Sequence, residues 1–254
     1  MRRRFVRQQE APTAREQLSI AVTGLGRDAG TTLVSTSLAI FYAEKGESVT
    51  FTECCVPGRS CSLLYDAVAM EQRFYGRSFR DFYEIVRSGG RIRDIRNMER
   101  GVNWRIPLPQ DRGLSEEECR DIVSQLTAGA RDQVCIFDVQ AGFDGFPLRE
   151  MDALIVVADP LPSRLVNQSG QIDRLLQMTE DPESPRVFMV VNKVNAGVNR
   201  RQVSSFFGGN VSAWIPAFDL RELYGDEFAC RFHWDNRVIR GKLGDFFTKF
   251  SHNL

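Results

Sequence analysis

The sequence predicts an α/β fold, a three-layer sandwich in which helices cover both faces of a mostly parallel central sheet. The first observation is that roughly the first fifty residues read as strand, glycine-rich loop, helix and strand, the pattern of a βαβ unit. The second is a series of continuous apolar runs at 134–138, 153–158 and 187–192. Runs that are apolar on both faces are typical of parallel strands covered from both sides.

The opening unit has a recognisable start and stop for each element. Residues 18–24 form an apolar run that ends at glycine, which predicts a strand. Residues 31–45 place apolar side chains on one helical face, and Gly46 is a natural stop for that helix. Residues 48–52 are predicted to form the second strand.

The rest of the chain continues the alternation. The aromatic residues within 74–85 have helical spacing and are expected to pack in the core. Ser115 and Glu118 form a capping-box pattern, which predicts a helix that runs to residue 128. The other predicted elements are strands at 102–106 and 211–215 and helices at 163–178 and 201–207.

Length and composition indicate one soluble globular domain. The chain has 254 residues, of which 43% are hydrophobic and 26% charged. Residues 18–254 are expected to form this domain, and residues 1–17 a flexible basic arm. No apolar run reaches the ~18 residues of a transmembrane helix. The 33 basic and 33 acidic residues cancel, which argues against nucleic acid as a partner.

Cysteine usage indicates the cytoplasm. The six cysteines include no C-x-x-C pair, so a zinc site is disfavoured. Cys135 lies in an apolar run and is expected to pack as a small hydrophobic side chain. A reducing compartment is therefore predicted.

The loop between the first strand and the first helix is the candidate site. Backbone N–H groups and a helix N-terminus at this position can hold an anion. In the pattern G-x-x-x-x-G-K-[ST], Gly24 matches the first glycine, Ala29 replaces the second and Gly30 replaces the lysine. Thr31 keeps the hydroxyl that ligates magnesium. A purely structural turn is the alternative. The candidate nucleotide-binding residues here are Gly24, Gly26, Arg27, Asp28, Ala29, Gly30, Thr31 and Thr32.

From this loop onward the chain resembles the ParA/MinD family of deviant P-loop ATPases. Residues 25–32 occupy the eight positions of the family's K-G-G-x-G-K-T-T pattern. The other similar segments are 136–142, 156–160, 190–193 and 215–219. The resemblance implies a P-loop NTPase fold, ATP and Mg²⁺ as cofactors, and a homodimer paired across the loop. It also implies that Asn192 and Pro216 lie at the adenine and that Thr31 and Asp138 serve the metal.

The chain departs from the family pattern at three positions that matter for hydrolysis. Leu25 and Gly30 stand in place of the two family lysines. Cys55 stands where the family has its water-positioning aspartate, and a thiol cannot hold water as a carboxylate does. The sequence therefore predicts a pseudo-ATPase with no catalytic residue and weak or absent nucleotide binding. An active ATPase with a rearranged P-loop, in which Arg27 supplies the charge, is the alternative.

The predicted function is a spatial organiser or assembly scaffold that acts through protein contacts. A non-lysine residue at the second lysine position resembles the TadZ/CpaE branch, which helps to localise pilus-assembly machinery. A DNA-partition ATPase-like protein is a further alternative, which the zero net charge disfavours.

The C-terminal segment is predicted to form an amphipathic helix, whose apolar face could lie on a membrane surface or pack on the sheet. A helix over 238–250 would place six apolar residues on one face: Val238, Ile239, Leu243, Phe246, Phe247 and Phe250. The family resemblance implies a basic amphipathic helix lying on the membrane surface. Packing of this helix on the sheet is the alternative that we favour, because Gly241 and Gly244 suit close packing.

Overall fold

The computed structural model describes residues 17–55, 57, 78–93, 95–107, 113–141 and 145–254. The predicted basic arm, apart from Gln17, and the first part of the predicted aromatic helix lie outside this part of the chain. The described strands form one eight-stranded sheet of order β3-β4-β2-β5-β1-β6-β7-β8. All pairs are parallel except β3 with β4. The predicted three-layer, mostly parallel α/β architecture is confirmed.

The elements have the following bounds. The strands are β1 Leu18–Gly24, β2 Val49–Glu53, β3 Met98–Glu99, β4 Val102–Arg105, β5 Val134–Val139, β6 Ala153–Ala158, β7 Arg186–Val194 and β8 Val211–Pro216. The helices are α1 Thr31–Glu44, α2 Phe82–Arg87, α3 Glu116–Ala128, α4 Pro162–Asn167, α5 Ser169–Glu180, α6 Arg200–Phe206, α7 Leu220–Phe228 and α8 Arg237–His252.

Most predicted elements appear within one or two residues of their expected ends. The capping box at the start of α3 is present, with Ser115 and Glu118 each accepting a hydrogen bond from the other's backbone. The single helix expected at 163–178 is divided into α4 and α5 at Gln168. The short antiparallel β3 and the exposed α7 were not predicted, because neither carries a long apolar run.

Two hydrophobic cores lie on the two faces of the sheet. On one face, β1 residues Ile20 and Val22 pack with α1 and α8. On the other face, Ala21 belongs to the core that contains α2, α3, α5 and α6. Alternate residues of one strand therefore serve opposite layers, which explains why the strands are apolar on both faces.

Strand β1 lies at the centre of this arrangement. It pairs with β5 on one side and β6 on the other, and Val22 stands opposite both Asp138 and Ile155. Because these strands are parallel, their carboxyl ends meet at the same edge of the sheet. The loop after β1, Asp138 in β5 and the segment after β6 are therefore neighbours.

Helix α8 packs on the sheet. Five of the six apolar residues predicted for its inner face are buried, namely Ile239, Leu243, Phe246, Phe247 and Phe250. Phe247 contacts Phe41 of α1 and Trp234, with ring centroids 5.4 Å and 5.8 Å apart. The packing alternative is confirmed. In this fold the apolar face of α8 is buried against the protein, so it is not exposed to contact a membrane. Within the described residues no helix is long and apolar enough to cross a bilayer.

Replacing Phe247 with alanine is expected to lower the free energy of unfolding by about 3–5 kcal/mol, because the change empties a fully buried aromatic site. Val238→Ala in the same helix is the matched control, since 57% of Val238 is exposed and a change of less than about 0.5 kcal/mol is expected. Urea titration of both variants measures the difference. Equal losses would contradict the packing of α8 on the sheet.

Candidate functional site

The loop from Gly24 to Gly30 connects β1 to α1 and turns sharply at two residues. Asp28 has φ 59° and Gly30 has φ 95°, both in the left-handed region. The loop starts inside the sheet, because the Leu25 N–H donates to the Val157 carbonyl of β6 at 2.9 Å. Leu25 and Ala29 are buried, whereas Arg27 and Asp28 are exposed. The predicted strand–loop–helix geometry is confirmed.

From Gly26 onward, the backbone N–H groups of this loop have no partner within the described part of the chain. Among the described residues, none of the amides from Gly26 to Leu33 donates a hydrogen bond, and the first intrahelical bond of α1 is Val34 N–H to Gly30 O. The last three of these amides lie in the first turn of α1, where the helix dipole adds positive potential. Backbone of this kind binds phosphate and other anions.

Asn192 in β7 lies against the loop. Its Nδ2 donates to the Ala29 carbonyl at 2.8 Å, and its Oδ1 accepts from the Lys193 N–H at 2.8 Å. Both ends of the amide are therefore engaged within the protein. The family resemblance implies that Asn192 contacts adenine. An adenine base hydrogen-bonded to this side chain has to share or replace one of these two hydrogen bonds.

The contact with Asn192 also explains the glycine at position 30. A Cβ atom on Gly30 would lie 2.2 Å from Nδ2 of Asn192, and its positive φ is strained for any other residue. The lysine of the standard P-loop pattern therefore has no room at this position while Asn192 holds Ala29. Gly26 differs, since a Cβ there would meet nothing within 4 Å.

Two hydroxyls at the start of α1 point in different directions. Thr32 Oγ1 donates to Asp138 Oδ2 at 2.8 Å, whereas Thr31 Oγ1 lies beside Gly24, where a Cβ would come within 2.8 Å of it. The structure thus pairs Asp138 with Thr32, and the prediction that Thr31 and Asp138 serve a metal stays a prediction. Glu53 in β2 stands opposite Asp138 in register and is also buried.

Asp138 is a buried acid with an unusual proton affinity. Burial raises the pKa of its carboxyl to about 6, while hydrogen bonds from Thr32 and Ser35 act in the opposite direction. Hydroxyl and carboxylate oxygens are the ligands that Mg²⁺ takes beside nucleotide phosphates. Thr32 and Asp138 fit such a role. Among the described residues no group of three or more His, Cys, Asp or Glu side chains is placed to hold a metal ion.

Cys55 does not face the loop in a way that could activate water. Its Sγ lies 3.6 Å from the Cys119 carbonyl of α3, and its N–H donates to the Tyr83 hydroxyl. Burial raises the pKa of the Cys55 thiol far above its ordinary value. The side chain is therefore a buried neutral thiol that packs toward α3.

Three charged residues beside the loop were not predicted as part of the site. Asp159, Arg164 and Lys193 form an ion cluster that contacts the loop carbonyls. Asp159 follows β6, Arg164 lies in α4 and Lys193 lies in β7, but no local pattern indicates that Arg164 and Lys193 reach residues 27 and 28. Pro216, predicted at the adenine, lies at the end of β8 opposite Val194 and is half-buried.

Comparison with known proteins identifies the fold. No protein-family model and no curated protein matches the chain. Several solved structures match the chain in fold. A ParA family ATPase from Chlorobium tepidum is 14% identical, with a TM-score of 0.64 over 92% of this chain and 99% of that one. The MinC:MinD complex of Aquifex aeolicus is 13% identical, with a TM-score of 0.66 over 92% and 96%.

A third neighbour was solved with a nucleotide. The septum site-determining protein MinD from Pyrococcus horikoshii, complexed with Mg-ADP, is 12% identical, with a TM-score of 0.62 over 91% of this chain and 93% of that chain. The chain therefore has the α/β fold of these ParA and MinD structures. At 12–14% identity these comparisons show the fold, and any activity has to be argued from the residues of the site.

Gly30→Ala is expected to destabilise the protein by about 2 kcal/mol or more, because the new Cβ meets Asn192 in a backbone conformation that alanine disfavours. Gly26→Ala is the matched control and is expected to change stability by less than about 1 kcal/mol. Urea unfolding of both variants decides the matter, and equal midpoints would mean that Asn192 does not hold the loop.

Asp138 should make stability depend on pH. Because the folded protein holds this proton more tightly than the unfolded chain, whose aspartates titrate at about 3.9, the contribution is complete below about pH 4 and is lost as the pH rises through about 6. Relative to Asp138→Asn, the wild type should lose roughly 2–3 kcal/mol between pH 4 and pH 7. Asp173→Asn, at an exposed position in α5, is the control for a general charge effect. A pH-independent difference between wild type and Asp138→Asn would contradict this prediction.

Proposed function

We propose that the protein binds the phosphates of an adenine nucleotide at the loop and acts as an assembly scaffold with little or no ATP hydrolysis. The observation that carries the proposal is the run of eight amides from Gly26 to Leu33, at the N-terminus of α1, that have no partner among the residues the structure describes. Phosphate oxygens are suitable acceptors for such a run.

The neighbouring oxygen ligands support magnesium as the companion of the nucleotide. Thr32 and Asp138 supply a hydroxyl and a carboxylate directly beside the amides. When bound, the metal would supply charge neutralisation on the phosphates. A fold neighbour, the MinD protein of Pyrococcus horikoshii, was solved with Mg-ADP. The Mg-ADP complex of this neighbour supports the binding of a nucleotide with magnesium, but it gives no support for catalysis.

Weak hydrolysis is proposed because the groups that stabilise phosphoryl transfer are missing. Neither Leu25, which is buried, nor Gly30 carries a positive charge into the loop. The carboxylate that would orient water is replaced by Cys55, which packs toward α3. Losing one such group costs on the order of a hundredfold or more in rate. Arg27 is the one exposed cation of the loop itself.

Exposed apolar side chains support a role through protein contacts. Leu220, Tyr224 and Phe228 occupy positions i, i+4 and i+8 of α7, and Phe228 is 94% exposed. Leu161 and Val166 are exposed beside the loop, after the carboxyl end of β6. Apolar groups clustered in this way on a surface favour association with another protein chain. A homodimer across the loop is the arrangement that the family resemblance implies, and the MinD neighbour from Aquifex aeolicus was solved with MinC.

The proposal predicts nucleotide binding without robust turnover. Fluorescent ATP and ADP analogues with magnesium should bind the wild type saturably, while steady-state phosphate release stays at background. The matched variants are Arg27→Ala and Gly26→Ala, the second of which adds a Cβ into open space. Light scattering with and without nucleotide reports self-association in the same samples.

Each arm can contradict a different part of the proposal. No saturable binding at millimolar nucleotide would refute the phosphate site. Robust turnover that disappears in Arg27→Ala would refute the pseudo-ATPase and establish an ATPase with a rearranged loop. A strict monomer at high concentration under all conditions would rule out the homodimer and leave a heterologous protein partner.

A further inference from the structure

Behind the loop, two cations bridge a buried carboxylate and the loop backbone. Asp159 is 7% exposed, and its Oδ2 accepts from Lys193 Nζ at 3.2 Å and lies 3.1 Å from Arg164 Nη1. The same Arg164 Nη1 donates to the Arg27 carbonyl at 3.0 Å. Lys193 Nζ donates to the carbonyl of Asp28. Each cation therefore joins Asp159 to one carbonyl of the loop.

The contact between Lys193 and the Asp28 carbonyl joins two residues whose backbone is in a rare conformation. Lys193 and Asp28 each have φ 59°, which is in the left-handed region and disfavoured for residues other than glycine. Asn192 supports the kink at Lys193, because its Oδ1 accepts the Lys193 N–H. Strained backbone persists where the surroundings fix it, and such positions concentrate at functional sites.

In the loop, three carbonyl groups accept hydrogen bonds from side chains, whereas the N–H groups from Gly26 onward donate none to the described residues. The carbonyls of Arg27, Asp28 and Ala29 are held by Arg164, Lys193 and Asn192 respectively. The amides from Gly26 to Leu33 have no partner within the described residues. A peptide unit with its carbonyl fixed has its N–H direction fixed as well, since the unit is planar.

We infer that Lys193 and Arg164, held by Asp159, are positioning residues that fix the carbonyls of the loop so that its amides remain available to an anion. The inference rests on the proposed function for the identity of the anion as a nucleotide phosphate. The cluster of two cations and one carboxylate also leaves one excess positive charge beside the loop, which favours an anion there.

Lys193→Gln tests the inference with two measurements. The first needs no ligand: limited trypsin digestion, followed by mass spectrometry, measures cleavage after Arg27, which is exposed. Release of the Asp28 carbonyl should mobilise the loop and raise this cleavage rate roughly tenfold. The second is calorimetric titration with ADP and magnesium, for which affinity should fall roughly tenfold, the range expected for losing a charged hydrogen bond.

The controls separate positioning from general damage. Lys193→Arg keeps the charge and should restore most of the protection and affinity. Lys242→Gln removes an exposed lysine from α8 and should behave as the wild type in both measurements. Thermal melting confirms that each variant is folded. If Lys193→Gln does not fold, Arg164→Met provides the same test through the Arg27 carbonyl.

The outcomes distinguish this inference from the proposed function. Wild-type cleavage and affinity in folded Lys193→Gln would overturn the inference. Faster cleavage with unchanged affinity would also overturn it, because the loop would then be held for a reason other than anion binding. If the wild type binds no ADP and Lys193→Gln is nevertheless cleaved faster, the proposed function fails and the holding of the loop carbonyls stands.

Discussion

The site depends on one arrangement, the parallel pairing of β1 between β5 and β6. This pairing fixes where the chain leaves the sheet, because the Leu25 N–H is still bonded to Val157 when the loop begins. It also brings Asp138 of β5 to the first turn of α1, where Thr32 meets it. A shift of one residue in either pairing would turn every side chain of the strand to the opposite face and separate these groups.

The two kinds of backbone group in the loop have different surroundings. Its carbonyls are held by side chains from β7 and α4, and its N–H groups face no protein acceptor among the described residues. The fit with Asn192 leaves no space for a side chain at Gly30. The absence of a lysine at Gly30 therefore goes together with the close approach of Asn192, and the positive charge beside the loop comes from Lys193 of β7 and Arg164 of α4.

Burial shifts the proton affinity of an acid and a thiol near the loop. Burial raises the pKa of Asp138 to about 6, so this carboxyl changes charge close to neutral pH. Burial also keeps Cys55 in its neutral thiol form, and its contact with the Cys119 carbonyl turns it toward α3. The exposed apolar stripe on α7 is the separate feature on which the proposed contacts with other chains rest.

The sequence by itself determined the fold class and the place of the loop, because strands apolar on both faces and a glycine-rich turn before a helix are local patterns. It also determined that the loop carries no lysine. Only the tertiary structure decided that Thr32 meets Asp138, that α8 packs on the sheet, and that Lys193 and Arg164 hold residues 27 and 28. These contacts join residues more than a hundred positions apart, and strand order, which no local pattern encodes, sets which side chains meet.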